Sequence, residues 1–128
     1  MQDEPTPVEL LEGVADMLRT IAMPQLSGRA AFLVRVGANA VDLVRRQLEL
    51  GEQSDAAEIA RLQALLKTDG PLLDLNQKLC DAIESRRVTL DTPGLADHLW
   101  ATTMEKLAID QPQYAPYRRA LKTDQQNP

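Results

Sequence analysis

His98 and Cys80 are the single histidine and the single cysteine of this 128-residue chain, so any nucleophilic or soft-metal chemistry has to start from them. A covalent catalyst needs Cys or Ser paired across space with a histidine, and a third group orienting that base. On a helical wheel Cys80 falls beside the apolar arc of Leu72, Leu79 and Ile83, where a thiol is expected to be a small buried hydrophobe. His98 falls beside Thr102 and Glu105, away from Leu95 and Leu99, and is expected at the surface or its boundary. A structural zinc wants about four Cys, His or carboxylate ligands, and a helical di-iron site wants Glu-x-x-His pairs. The sequence offers neither, nor a Gly-x-Ser-x-Gly elbow, a phosphate loop or a dinucleotide fingerprint. The expectation is a non-catalytic chain with no metal and no cofactor.

Binding chemistry has better candidates. Arg35, Asn39, Asp42 and Arg46 recur at spacings of three and four, and so stack along one face of a helix whose other faces are apolar. One reading is a charge ladder in which Asp42 pairs with Arg46, contributing a few tenths of a kcal/mol. The other is a groove or partner contact, where arginine offers a planar fork to a carboxylate or phosphate. Tyr114, Tyr117 and Arg118 form a second group, since both tyrosines of an aromatic-poor chain lie there and Tyr and Arg are enriched at protein interfaces. They either fasten the last segment or meet a partner. Asn76, set among Leu72, Leu75, Leu79 and Ile83, is expected to satisfy nearby backbone or fix helix register. Ser27-Gly28-Arg29 opens a helix and could hold an anion, as any helix start could.

The elements that position these groups are helices. Thr6-Pro7-Val8-Glu9 is a capping box, and Leu10, Leu11, Val14, Met17, Leu18 and Ile21 then follow a period near 3.6, predicting a surface helix that ends at Pro24. A second helix is expected over about 29–50, stopped by Gly51, with so broad an apolar arc that it reads as the central helix. A third, capped by Ser54 or Asp55, runs to about Lys67 and turns Ile59, Leu62, Leu65 and Leu66 inward. A fourth follows Pro71 to about Arg86, and a fifth, capped at Thr92-Pro93, runs to Asp110. Tyr114 to Leu121 adds a short helix or turn, and Val88-Thr89-Leu90 is too isolated to make a sheet. The fold class is therefore all-α: a compact bundle of five main helices plus a short C-terminal helix or turn, one domain over 1–122 with a frayed polar tail over 123–128.

Composition agrees and narrows the partners. Apolar residues are 44%, aromatics 3% and charged residues 26%, which suits a helical globular domain. A net charge of -5 disfavours nucleic acid, whose phosphates want clustered Lys and Arg. No apolar run reaches the roughly 20 residues that span a bilayer. The acidic start Met1-Gln2-Asp3-Glu4 and the lone thiol fit a cytoplasmic protein.

Three stretches carry a resemblance. Pro7-Val8-Glu9-Leu10-Leu11, the run Gly28-Arg29-Ala30-Ala31-Phe32 leading to Arg35-Val36 and Ala38-Asn39-Ala40, and Lys106-Leu107-Ala108-Ile109-Asp110-Gln111-Pro112 with Tyr114 and Tyr117-Arg118 look like an uncharacterised bacterial helical domain family. Members of that family occur alone or fused to aminoglycoside-phosphotransferase-like domains and are encoded near acyl-CoA dehydrogenases. The resemblance spans about Pro5 to Leu121 and brings no catalytic pattern with it. It implies an accessory or regulatory module, and the leading expectation is that this module, as a single chain or a homo-oligomer, binds an enzyme of acyl-CoA or phosphotransfer metabolism. The alternative is a small-molecule binder with an inter-helix pocket for a phosphorylated or acyl ligand.

Overall fold

Thr6 opens the first helix as its capping box dictates. The Thr6 hydroxyl accepts from the Glu9 backbone N–H at 3.3 Å, and the Glu9 carboxylate accepts from the Thr6 N–H at 2.8 Å. That backbone donor holds the Glu9 carboxyl below its usual range. The computed structural model describes residues 3–124, and side chains over 3–123. Helix α1 is Pro7–Met17, continued by a π turn Leu18–Ala22 and a 3-10 turn Met23–Gln25. Helices α2 (Gly28–Leu66), α3 (Leu72–Glu84), α4 (Leu95–Asp110) and α5 (Ala115–Asp124) follow. The fold is all-α, and the described residues contain no strand. Of the tail expected to fray, Thr123 and Asp124 belong to α5, and 125–128 lie outside the described residues.

The expected break at Gly51 is absent: the second and third helices of the sequence reading are one helix, α2, of 39 residues. A glycine stops a helix by turning left-handed, and Gly51 keeps its helical conformation. Its lack of a side chain serves space instead, because the Gln47 side chain lies where a Cβ would stand. Helix α2 ends at Lys67, a non-glycine residue with φ +53, whose N–H returns to the Gln63 carbonyl at 2.9 Å. Ser54 and Asp55 are therefore mid-helix residues rather than caps.

The chain divides into two units, Met1–Gly51 and Glu52–Pro128. Within the first, α1 and its π turn pair with the opening half of α2 as a helical hairpin. Ala15 of the first helix and Ala38 of α2 are buried, and Arg19 on the π turn ties the two together with an ion pair to Asp42 at 2.6 Å. Periodicity predicts Leu10, Leu11, Val14, Met17, Leu18 and Ile21 as the covered face of the first helix, and a broad apolar arc predicts a central helix over about 29–50; Leu11 and Leu18 are half-buried. The other four are exposed, as are Phe32, Leu33, Val36, Leu43, Val44 and Leu48 on α2, so most of both apolar faces is not covered. The polar side of α2, carrying Asn39 and Asp42, is the one turned towards Arg19 of the first helix, so the apolar arc is left outside.

The second unit has an ordinary core. Leu62, Leu75, Leu79, Ala82, Val88 and Leu95 are buried together, with Ile59, Leu65, Leu66 and Leu72 packed against them. Val88, the only strand hint, anchors a loop: its N–H returns to the Ala82 carbonyl at 3.1 Å past Arg86, which adopts φ +58. The expected cap at Thr92-Pro93 moves to Gly94, left-handed at φ +89, while the Thr92 hydroxyl accepts from the Thr89 N–H at 2.9 Å. Cys80 is exposed, contrary to expectation, because Ala82 rather than Cys80 completes the inner row of α3 with Leu75 and Leu79.

Candidate functional site

Helix α4 buries a polar face. At 100° per residue, Leu95, His98, Thr102, Glu105 and Ile109 share one stripe, and Leu95, His98 and Ile109 are buried while Leu99 and Trp100 are exposed. Arg61 of α2 draws this stripe inward. Its guanidinium donates Nη1–H to Glu105 Oε1 at 2.9 Å and Nη2–H to Glu105 Oε2 at 2.5 Å, a fork on a carboxylate, and Nη2–H also reaches Thr102 Oγ1 at 3.3 Å. One turn earlier on α2, Glu58 is only 7% exposed and accepts from Asn76 Nδ2 of α3 at 2.8 Å; Asn76 also donates to the Leu72 carbonyl at 3.2 Å. Asn76 thus satisfies local backbone, as its setting suggested, and additionally caps a buried carboxylate.

His98 is 3% exposed, which corrects its expected place at the surface. Burial and then the Arg61 charge push its pKa below the ordinary value, with Glu58 and Glu105 pulling the other way and Lys106 adding a smaller downward push. The ring is therefore neutral at pH 7. A cleft of about 240 Å³ lies beside it, lined by Arg61, Ala64, Leu65, Pro93, Gly94, Asp97 and His98. A buried neutral imidazole leaves a signature in stability. The unfolded chain protonates near pH 6.5 and the folded chain only at lower pH, so unfolding takes up a proton between those two values. Stability is expected to fall as pH drops from about 6.5 through that window, and His98→Gln is expected to remove this component from the slope of melting temperature between about pH 7.5 and 5.5. Parallel slopes in the two proteins would contradict it.

The residues singled out from sequence sit in two places. In the first unit, Asn39 Oδ1 accepts from Arg19 at 3.1 Å, and Asp42 takes Arg19 at 2.6 Å and Arg45 at 3.5 Å. The partner of Asp42 is therefore the facing helix as well as its own, through Arg19, which no spacing rule links to α2. Arg35 is exposed and lies over the Phe32 ring, 5.8 Å from its centroid; Arg46 is half-buried. Asp42, Arg19 and Arg45 line a cleft of about 600 Å³ with Glu9, Glu12 and Asp16. In the second unit, Tyr114 is exposed at the start of α5, Tyr117 is half-buried, and the Arg118 guanidinium donates to Gln113 Oε1 at 3.4 Å. Among the described residues no group of three or more His, Cys, Asp or Glu side chains is placed to hold a metal ion, and no helix is long and apolar enough to cross a membrane.

Fold and site together define an all-α helical domain in which a charged network is folded into one unit and an apolar hairpin is left open in the other. The chain belongs to the family described as a domain of unknown function (DUF6285), whose family model matches residues 24–114. The match takes in α2, α3 and α4 with the whole Glu58–Arg61–Asn76–His98–Glu105 network, and leaves α1 outside it. No curated protein and no solved structure matches the chain.

Proposed function

We propose that the domain is a non-catalytic helical accessory module that works by binding protein. One observation carries this reading. Of the nineteen large apolar side chains exposed among the described residues, twelve belong to the 51-residue first unit, whose buried side chains are only alanines. A soluble hairpin with so little interior gains its stability from what covers it. The small-molecule alternative has weaker support. The cleft beside His98 falls below the roughly 300 Å³ at which ligand pockets begin. The larger cleft at Asp42 presents Glu9, Glu12 and Asp16, which repel a phosphorylated or acyl-carboxylate ligand.

The resemblance to a bacterial family found fused to aminoglycoside-phosphotransferase-like domains, and encoded near acyl-CoA dehydrogenases, supplies the partner class. It is a cytoplasmic enzyme of acyl-CoA or phosphotransfer metabolism. Arg35, Tyr114, Tyr117 and Arg118 are the exposed or half-exposed side chains suited to that contact. The tagged chain is expected to co-elute at fixed stoichiometry with an acyl-CoA dehydrogenase or a phosphotransferase-like protein of the same organism. Arg35→Ala is expected to weaken that complex by about tenfold or more, with the melting temperature nearly unchanged. A folded chain that co-elutes with neither enzyme overturns the enzyme-partner reading, and a large loss of stability in Arg35→Ala overturns the role given to that residue.

A further inference from the structure

The open hairpin has two sides, and the Arg19–Asp42 ion pair distinguishes them. Arg19 bonds Asn39 and Asp42 along one side of the α1–α2 seam. At 100° per residue, Leu10, Val14, Met17 and Ile21 on α1 and its π turn point to the other side. So do Leu33, Gly37, Val44 and Leu48 on α2, with Ala40 and Val41 between them. All seven large residues of this set other than Val41 are exposed, and the face carries no charged residue.

We infer that this face is where two copies of the chain join, as a four-helix bundle made from two hairpins. The inference rests on the interaction-module reading above and names its first occupant. Three features select a second copy. At their fractional exposures the seven side chains present about 600 Å² of apolar surface; homodimer interfaces are about 65% apolar, so this is the apolar share of a patch near the roughly 800 Å² per protomer that a stable dimer covers. The absence of charge gives no pattern that would select a different protein, and obligate self-association favours such faces.

The third feature is the order of sizes along α2. An antiparallel two-fold axis between residues 40 and 41 exchanges 33 with 48, 37 with 44, and 40 with 41. Leu33 of one protomer then meets Leu48 of the other, and Val44 of one enters the hollow over Gly37 of the other. Gly37 sits in mid-helix, where glycine costs about 1 kcal/mol relative to alanine. A Cβ there would meet nothing within 4 Å, so the chain itself gives no steric reason for glycine. A knob from a second copy does.

Sedimentation equilibrium of the full chain from about 1 to 100 µM tests this, with the expected species twice the 14.2 kDa chain mass at about 10 µM. Val44→Glu and Gly37→Leu are expected to weaken association by about 100-fold or more without loss of helical circular dichroism, since both positions are open in the single chain. Leu73→Glu, on the exposed side of α3, is expected to leave the dimer intact. In a Cys80→Ser background, with a copper–phenanthroline catalyst and dissolved oxygen as the oxidant, Ala40→Cys is expected to give a disulfide-linked dimer and Arg35→Cys is not. A dimer insensitive to both face variants overturns this face. A monomer at the highest concentration overturns the second copy. If that monomer binds an anilinonaphthalene sulfonate dye through the hairpin, and Val44→Glu abolishes the binding, the module reading survives with another helix as occupant; a monomer that binds no dye removes both.

Discussion

Leu75→Ala is expected to destabilise the second unit by about 3 kcal/mol, whereas Leu73→Ala, two residues away on the same helix, is expected to stay within about 0.5 kcal/mol. Leu75 is 0% exposed and Leu73 80% exposed. The first truncation removes methyl groups from a site closed by Leu62, Leu79 and Leu95, where the surroundings relax only in part and a cavity remains. The second removes them from water. Urea unfolding followed by circular dichroism measures both, with the Leu75→Ala midpoint shifted and the Leu73→Ala curve superposed on the parent. Because the chain has two units, hydrogen exchange at α3 amides is the more direct readout, since it assigns the loss to the unit that carries the change. Equal costs for the two leucines would mean that α3 does not pack as described.

The same contrast shows what was legible in the sequence. Periodicity found the inner rows of the second unit, because Leu62, Leu75, Leu79 and Leu95 lie on helices covered on that face. It also found the stripe on α1, but periodicity says that a face is apolar and is silent on whether the covering surface belongs to the same chain. Leu10, Val14, Met17 and Ile21 follow the helical period and are nonetheless exposed. Gly51 predicts a stop because glycine often follows a helix end; its tertiary role, making room for Gln47, has no local signature. The capping box at Thr6 was legible because all its bonds lie within four residues.

The charged network was the least legible part. Arg61 and Glu105 are 44 residues apart, and no spacing rule joins them; periodicity sets Glu105 and Thr102 beside His98 but puts all three towards the surface, and it gives no sign of Arg61. The signal that could have found it is negative. The apolar residues of α4 do not make a clean stripe, since Leu99 and Trp100 fall outside the row of Leu95 and Ile109. A helix with a weak apolar pattern in a chain that must still bury it is a place to look for polar residues facing in, paired by a basic residue elsewhere.

That network makes the second large prediction. Glu105→Leu is expected to cost about 2 kcal/mol, because it leaves the Arg61 guanidinium in a partly closed site with only Thr102 Oγ1 among its described side-chain acceptors. The pair is 25% and 27% exposed, so the cost falls below the roughly 3–5 kcal/mol of a fully buried pair broken on one side and above the roughly 1 kcal/mol ceiling of surface pairs. Arg61→Met alone is expected to cost about as much, since Glu105 then keeps its desolvation without its fork. The double variant Arg61→Met with Glu105→Leu is expected to recover most of the loss and lie within about 1 kcal/mol of the parent, which gives a coupling of about 3–4 kcal/mol in the cycle. Arg61→Met alone should also raise the His98 pKa back towards its ordinary value by removing the Arg61 charge while Glu105 stays, with burial keeping it depressed. Imidazole titration by NMR reads that shift independently of stability. Additive single costs would mean that the fork is a surface pair without consequence and that Leu95 and Ile109 alone orient α4. Coupling without a His98 shift would mean that the histidine is held down by burial only, and that the arginine's task is to turn the polar face of α4 inward.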